Sequence, residues 1–135
     1  MKHEGKKLLE QQRAQHALKA VYEAEKHFEG EDRQRFVAYV ESLPAAIITN
    51  GLGQAAATLL AQAKGKKDSP HRKIFDIIQD WLCRSDHQAP YKDADKLMDA
   101  ITSNDRALYL KAQMETLAYL EWLKRFTVAF LKDRD

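Results

Sequence analysis

The side chains that most often do chemistry in proteins are sparse and scattered in this sequence. The five histidines show no repeated metal-binding spacing, and the patterns HExxH, CxxC and GxGxxG do not occur. These histidines are His3, His16, His27, His71 and His87. Glu23 and His27, at i and i+4, could share a metal, but a solvated ion pair is far commoner at that spacing. The sequence therefore predicts no catalytic residue, no metal site and no cofactor, and an enzyme is the least expected class.

The single cysteine, Cys83, has no partner for an internal disulfide. It follows Trp81 and Leu82 directly, and unpaired cysteine beside large apolar residues usually behaves as a small hydrophobic side chain. The position therefore favours a buried structural residue over a reactive thiol.

Positive charge is concentrated between positions 64 and 73, where Asp68 is the one carboxylate among five cations. Those cations are Lys64, Lys66, Lys67, Arg72 and Lys73. The whole chain has 22 basic and 20 acidic side chains, so nucleic-acid binding has to depend on local charge. Phosphate backbones favour such a cluster through counterion release. We predict sequence-independent contacts with a nucleic-acid backbone here, with an ordinary solvated loop as the alternative. Lys124 and Arg125 should contribute less, because helix ends commonly carry cations for dipole reasons.

The last predicted helix has two apolar faces when it is projected at about 100° per residue. The broad face holds Leu108, Ala112, Tyr119, Leu120, Leu123, Phe126, Phe130 and Leu131. The second face is a stripe formed by Leu110, Met114 and Leu117. Either the bundle encloses this helix on two sides, or the stripe docks onto another subunit.

Two glycines interrupt the middle of the chain at Asn50-Gly51-Leu52-Gly53-Gln54. Each costs about 1 kcal/mol relative to alanine inside a helix, so some gain must offset them. Close helix packing across Gly51, Gly53 and Ala57 is one explanation, and a true turn between two helices is the other. A base-reading helix is poorly supported, because residues 54–63 contain no arginine.

The elements that must position these groups are helices. Ala and Leu together number 34, whereas Val, Ile and Thr number 15, which favours helix over strand. Apolar spacing and helix-stop residues predict a single-domain bundle of about six helices over residues 1–135, ending in a long C-terminal helix. The first three predicted helices span about Lys6 to Phe28, ended by Gly30, then Asp32 to Ser42, then Pro44 to Ala63. The fourth starts at Pro70 and is capped by Ser69, and a short fifth helix carries Leu97, Met98 and Ile101. The last spans about Asp105 to Lys132 and is capped by Ser103 or Asn104.

Length and hydropathy limit the class further. The chain has 135 residues, 44% of them apolar and 31% charged, which is typical of one globular domain. Its longest apolar run, Leu43 to Ile48, is far shorter than the roughly 20 residues of a membrane span. No signal-peptide stretch follows the basic N-terminus. We therefore predict a cytoplasmic protein without membrane contact.

Several motifs resemble those of one family, the small α-helical subunit of type III-B CRISPR effectors, the RAMP-module (Cmr) complexes. The most specific is Leu43-Pro44 followed by Ile48-Thr49-Asn50-Gly51-Leu52-Gly53-Gln54-Ala55. The supporting ones are Arg13-Ala14, Tyr39, Trp81-Leu82, Glu115 with Tyr119, and Trp122-Leu123-Lys124-Arg125-Phe126. The resemblance spans nearly the whole chain.

This resemblance implies a non-catalytic subunit that stacks in several copies along a guide RNA paired with its target RNA, in antiviral defence. Its partners would be the other effector subunits, further copies of itself and both RNAs. In such assemblies base pairing reads the sequence while the protein contacts backbone and shape. The alternative is a stand-alone helical adaptor that binds only protein.

Overall fold

The computed structural model of the chain describes residues 6–133, and this part contains six α-helices and no strand. The helices are α1 (Leu9–His27), α2 (Gly30–Asn50), α3 (Leu52–Ala63), α4 (Pro70–Leu82), α5 (Leu97–Ser103) and α6 (Arg106–Leu131). The predicted all-α class and the long last helix, 26 residues, are confirmed. None of the described helices is long and apolar enough to cross a membrane.

Helix α6 is the centre of the bundle. It runs parallel to α1, because the contacting pairs advance in the same direction along both helices. Arg13 contacts Glu115 near one end, and Tyr22 contacts Phe130 near the other. It runs antiparallel to α2, because Gln34 near the start of α2 donates to the carbonyl of Leu131. One stripe of α6 is buried, at the three- and four-residue spacing of a helix face. It consists of Ala112, Thr116, Tyr119, Leu120, Leu123, Thr127 and Leu131.

The predicted helix break before Pro44 is wrong, because α2 continues through this proline to Asn50. Proline inside a helix removes one backbone hydrogen bond, at a cost of about 3 kcal/mol. Apolar burial on both sides of it, by Val40, Leu43 and Ile47, offsets that loss and keeps the helix continuous. Gly30 also differs from expectation, since it starts α2 with φ +56° rather than ending α1.

Two helix starts follow from their caps. The Ser69 hydroxyl accepts a hydrogen bond from the Arg72 amide and Pro70 is the first residue of α4, as predicted. The cap of α6 is Asp105, not Ser103 or Asn104, and its carboxylate accepts from the Leu108 amide at 3.0 Å. A carboxylate here also suits the positive end of the helix dipole.

Cys83 caps the C-terminus of α4 and is half-buried, less enclosed than its buried neighbours Trp81 and Leu82. Burial, and secondarily the nearby charge of Asp80, raise the pKa of its thiol. The thiol form is therefore favoured over the nucleophilic thiolate, which supports the structural interpretation.

Candidate nucleic-acid and subunit interfaces

The α3–α4 loop holds the centre of the predicted basic cluster. Lys64 ends α3 in the left-handed conformation (φ 52°), and Gly65 follows with φ 76°. The loop is a tight turn, since the Lys66 amide donates to the Ala63 carbonyl at 2.9 Å. Lys64, Lys66 and Lys67 are exposed and form no ion pair within the described part of the chain. Three exposed, unpaired lysines therefore lie within residues 64–67 of this one loop.

The other two cations of the predicted cluster lie in α4 and diverge. Arg72 donates to the Asp76 carboxylate at 2.9 Å and lines a shallow groove that also contains Leu60 and Met98. Lys73 lines a different groove, between α1 and α4. The sequence cluster is thus three neighbouring lysines and two cations on separate surfaces, and Arg72 has an internal partner.

His71 contributes packing rather than charge at this edge. Its ring stacks on Tyr39 of α2, with centroids 3.8 Å apart and planes inclined by 19°. Burial lowers the pKa of His71. The neutral ring is therefore favoured in the fold, and the site gains no cation from it at neutral pH.

Along α6, the predicted stripe and several cations share the solvent side. Leu110 and Met114 are 55% and 72% exposed, while Leu117 is half-buried. The bundle therefore does not enclose these two side chains, and docking onto another subunit stays a prediction. Lys124 and Arg125 are exposed on the same helix, as are Arg106 and Lys111.

A polar cluster joins α1, α4 and α6 in the interior, and no short sequence pattern indicated it. Arg13 makes two hydrogen bonds to the Glu115 carboxylate, at 2.7 and 2.8 Å. The Trp81 indole donates to the same carboxylate at 3.0 Å. Burial alone would raise the pKa of Glu115, but the bonds from Arg13 and Trp81 and the guanidinium charges hold it below its usual value. The Glu115 carboxylate is therefore ionised, and both of its oxygens accept hydrogen bonds from within the fold.

His16 and Arg84 extend this cluster. The two ring nitrogens of His16 lie 2.6 Å from the Tyr119 hydroxyl and 2.6 Å from the Asp80 carboxylate. The Arg84 guanidinium lies over the Trp81 ring, 3.5 Å from its centroid. The family resemblance rests in part on four residues of this cluster, Arg13, Trp81, Glu115 and Tyr119. That resemblance was the indication of the cluster available in the sequence. Their role is to tie three helices together.

The glycine interruption is explained by close packing at a single-residue break. Gly51 has φ +86°, and a Cβ there would lie 2.9 Å from the Tyr109 hydroxyl. That hydroxyl accepts from the Gly53 amide at 2.9 Å, and the Gln113 side chain accepts from the Leu52 amide at 2.9 Å. Two side chains of α6 thus satisfy the first amides of α3, which helices otherwise leave unpaired. Of the predicted trio only Ala57 is not involved, because it is exposed.

The groove between α1 and α4 has a volume of about 550 Å³ and contains both Glu23 and His27. The two form no ion pair among the described residues, and the His27 ring instead packs edge-on against Phe28. Within residues 6–133 no three acidic, histidine or cysteine side chains converge as metal ligands. His3 lies outside the described residues. The groove is therefore a concave surface lined in part by charged side chains.

Comparison with known proteins gives a consistent result. Residues 9–130 match the family model Cas_Cmr5, described as a CRISPR-associated protein. A relative from Thermus thermophilus, "CRISPR system Cmr subunit Cmr5", is 30% identical over 120 residues, which cover 89% of this chain and 93% of the relative. The crystal structure of a CRISPR-associated Cmr5 family protein from the same organism superposes with a TM-score of 0.71 at 27% identity, covering 94% of this chain and all of that one. The chain therefore belongs to the Cmr5 family of CRISPR-associated proteins.

Proposed function

We propose that the chain is a non-catalytic small subunit of a type III-B (Cmr) CRISPR ribonucleoprotein effector that acts in the cytoplasm in antiviral defence. It stacks in several copies along guide RNA paired with target RNA, beside the other effector subunits. It contacts the RNA backbone irrespective of base sequence. Family membership supports the complex, and the exposed lysine turn of the α3–α4 loop is the observation that supports RNA contact.

The lysine turn fits phosphates better than bases. Lys64, Lys66 and Lys67 present point charges without an arginine fork or a helix suited to a groove, so they offer attraction without base readout. A single copy should bind RNA in the non-specific range of about 10⁻⁴ to 10⁻⁶ M at physiological salt. Copies aligned on one strand gain affinity because each added copy binds at high effective concentration.

The remaining predicted cations contribute unequally. Lys124 and Arg125 are exposed on α6 and add positive potential, while Lys73 is half-buried in the α1–α4 groove. Arg72 is held by Asp76, so it must break that pair to reach a phosphate. We therefore assign the main RNA contact to the three loop lysines.

The decisive experiment changes all three loop lysines to glutamate and measures the salt dependence of binding to generic single-stranded RNA. The slope should flatten by about three phosphate contacts, equally for every RNA sequence. The matched control changes Lys6, Lys26 and Lys92, which are exposed elsewhere, to glutamate. It alters net charge identically and should preserve the slope. An unchanged slope in the loop variant, or strong base preference, contradicts this RNA contact.

A stand-alone protein adaptor is the second candidate, and the exposure of Leu110 and Met114 favours it. The two functions differ in their response to RNA. An adaptor binds its partner equally well after removal of the loop charges and does not enter a guide-RNA complex. Measuring the size and composition of the reconstituted effector with and without this chain separates them.

A further inference from the structure

A stacked pair of aromatic rings, Tyr39 of α2 and His71 of α4, adjoins the lysine turn of the α3–α4 loop. Their centroids are 3.8 Å apart and their planes are inclined by only 19°. By contrast, the exposed rings Tyr22 and Phe130 are tilted by 55° at a centroid distance of 5.6 Å. Two nearly parallel rings present a flat surface that a further planar ring can join by offset stacking. We call Tyr39 and His71 the ring pair.

The ring pair reaches solvent. Both residues are half-buried rather than enclosed, and among the described residues no third aromatic ring lies against them. The Tyr39 hydroxyl and the His71 ring nitrogens form no hydrogen bond within residues 6–133. They are also absent from the polar atoms that this part of the fold buries without a partner, which belong to Arg84, Tyr91 and Thr127. These atoms therefore face water, and the ring pair is accessible from outside.

A short, tightly turned segment joins the lysine turn to the ring pair. The Ser69 amide donates to the Lys66 carbonyl at 3.2 Å, which folds the loop back toward α4. His71 follows Ser69 by two residues, so their Cα atoms are at most about 8 Å apart. The Ser69 hydroxyl accepts from the Arg72 amide and fixes the start of the helix that carries His71. The rings and the loop lysines therefore occupy one edge of the molecule.

The charge of this loop is positive, since three unpaired lysines stand against Asp68 as its one carboxylate. On the α2 side, Arg35 lies one turn before Tyr39 and pairs with both Glu31 and Asp32. Aromatic faces beside cations are the composition of single-strand binding sites, where bases stack on rings while cations follow the backbone. A nucleotide strand uses both parts of this edge, because its bases join the rings and its phosphates attract the lysines.

We propose that the ring pair binds an unpaired nucleobase, which extends the stack while the lysine turn holds phosphates of the same strand. The proposal rests on the RNA contact in the proposed function and names the state of the ligand, a single-stranded nucleotide. Bases within a duplex are covered by their neighbours, whereas unpaired bases can splay out and lie on aromatic side chains. Every base has a flat face, so this contact tolerates any base sequence.

Two single strands of equal length, an RNA of mixed sequence and a ribose-phosphate strand without bases, test the stack. The chain should bind the base-containing strand at least about fivefold more tightly, from one stacked base. His71→Leu and Tyr39→Leu should lose most of this preference and bind the abasic strand as the parent chain does. His71→Phe keeps a ring and should retain the preference. The matched control Phe130→Leu, at a ring 46% exposed, should also retain it.

An unchanged preference in His71→Leu would overturn the proposal, as would its loss in Phe130→Leu, which would move the base contact to α6. Equal losses in His71→Phe and His71→Leu would show that no ring is needed and would overturn it too. Thermal unfolding checks that each variant is folded, and His71→Leu decides alone if Tyr39→Leu is not.

A duplex tests the requirement for an unpaired base. A duplex with one unpaired nucleotide should bind the parent chain more tightly than the fully paired duplex, and His71→Leu should bind both alike. Equal binding by the parent chain would contradict the proposal, because the added base would then find no ring to join.

The salt slope separates failure of the stack from failure of the RNA contact. The ring variants remove no phosphate contact, so they should leave the slope unchanged, whereas the loop-lysine variant flattens it. If the lysine variant flattens the slope but the parent chain shows no preference for bases, the stack fails and the backbone contact stands. If the lysine variant leaves the slope unchanged, the proposed RNA contact fails and the stack fails with it.

Discussion

Two charged regions of this molecule, the α1–α4–α6 polar cluster and the α3–α4 loop, use similar side chains in opposite ways. In the cluster, Arg13 and the Trp81 indole use both oxygens of Glu115, and all three side chains are largely withdrawn from water. In the loop, Lys66 and Lys67 extend into solvent and have no carboxylate partner among the described residues.

The difference indicates which charges remain available to a partner. A charge that is hydrogen-bonded inside the fold is not available to a ligand, and removing its partner leaves it buried without compensation. An exposed, unpaired charge contributes little to stability and keeps its full attraction for a phosphate. Charge density along the sequence does not distinguish the two, since Arg72 belongs to the densest segment and is nevertheless internally paired.

The largest expected effect is on stability, from the cluster. Glu115→Ala leaves the Arg13 guanidinium and the Trp81 indole without their acceptor, and we expect a loss of about 3 kcal/mol in the free energy of unfolding. Arg35→Ala, which breaks exposed pairs with Glu31 and Asp32, should cost less than about 1 kcal/mol. Denaturant unfolding of both variants measures the contrast. A loss below about 1 kcal/mol for Glu115→Ala would remove the distinction between the regions.

The next effect compares two glycines, Gly65 in the exposed loop and Gly51 at the packed α2–α3 break. Gly65→Ala in the loop meets open space and bears only the left-handed penalty, about 1 kcal/mol. Gly51→Ala, at φ +86° and ψ 159°, enters a backbone region that essentially only glycine occupies, and it also places its Cβ 2.9 Å from the Tyr109 hydroxyl. We expect it to cost at least about 1 kcal/mol more than Gly65→Ala. Equal losses in the free energy of unfolding, measured by heat or denaturant, would show that Tyr109 of α6 moves away from the added Cβ without cost.

A smaller effect separates paired from unpaired cations within the basic segment itself. Lys67→Gln should reduce the salt slope of RNA binding by about one phosphate contact. Arg72→Gln should reduce it by less than half as much, because Asp76 already neutralises Arg72 in the fold. Filter binding or fluorescence anisotropy at several salt concentrations gives both slopes. Equal reductions would mean that RNA displaces Asp76 freely.

The smallest effect is a pH dependence of stability from His71. Burial lowers the pKa of His71 in the fold, so the unfolded chain binds the proton more readily. Stability should therefore decrease as the pH falls below about 6.5, the ordinary histidine pKa, and be unaffected by this group well above it. His71→Phe keeps the ring against Tyr39 and removes the proton. Unfolding between about pH 7.5 and 5.5 should show a larger decrease for the parent chain than for this variant.

Much of the fold followed from local residue patterns, and the exceptions have tertiary causes. Ser69 and Pro70 predicted the start of α4 correctly because a cap and an N1 proline act on neighbouring amides. Pro44 predicted a helix start that does not exist, because burial of Val40, Leu43 and Ile47 in the core outweighs one lost hydrogen bond. Local preference decides an element only where packing does not override it.

The candidate interfaces likewise have some features that local sequence determined and others that packing decided. The sequence by itself determined the all-α class, the long last helix, the position of the lysine turn and the presence of a second apolar stripe, since each depends on spacing along one helix or turn. Only the tertiary structure decided that Leu110 and Met114 are exposed, that Arg72 and Lys73 lie in separate grooves, and that Arg13, Trp81 and Glu115 meet. These outcomes depend on which helix lies beside which, and contacts between residues about 100 positions apart are fixed by the packing of whole helix faces rather than by local chain chemistry.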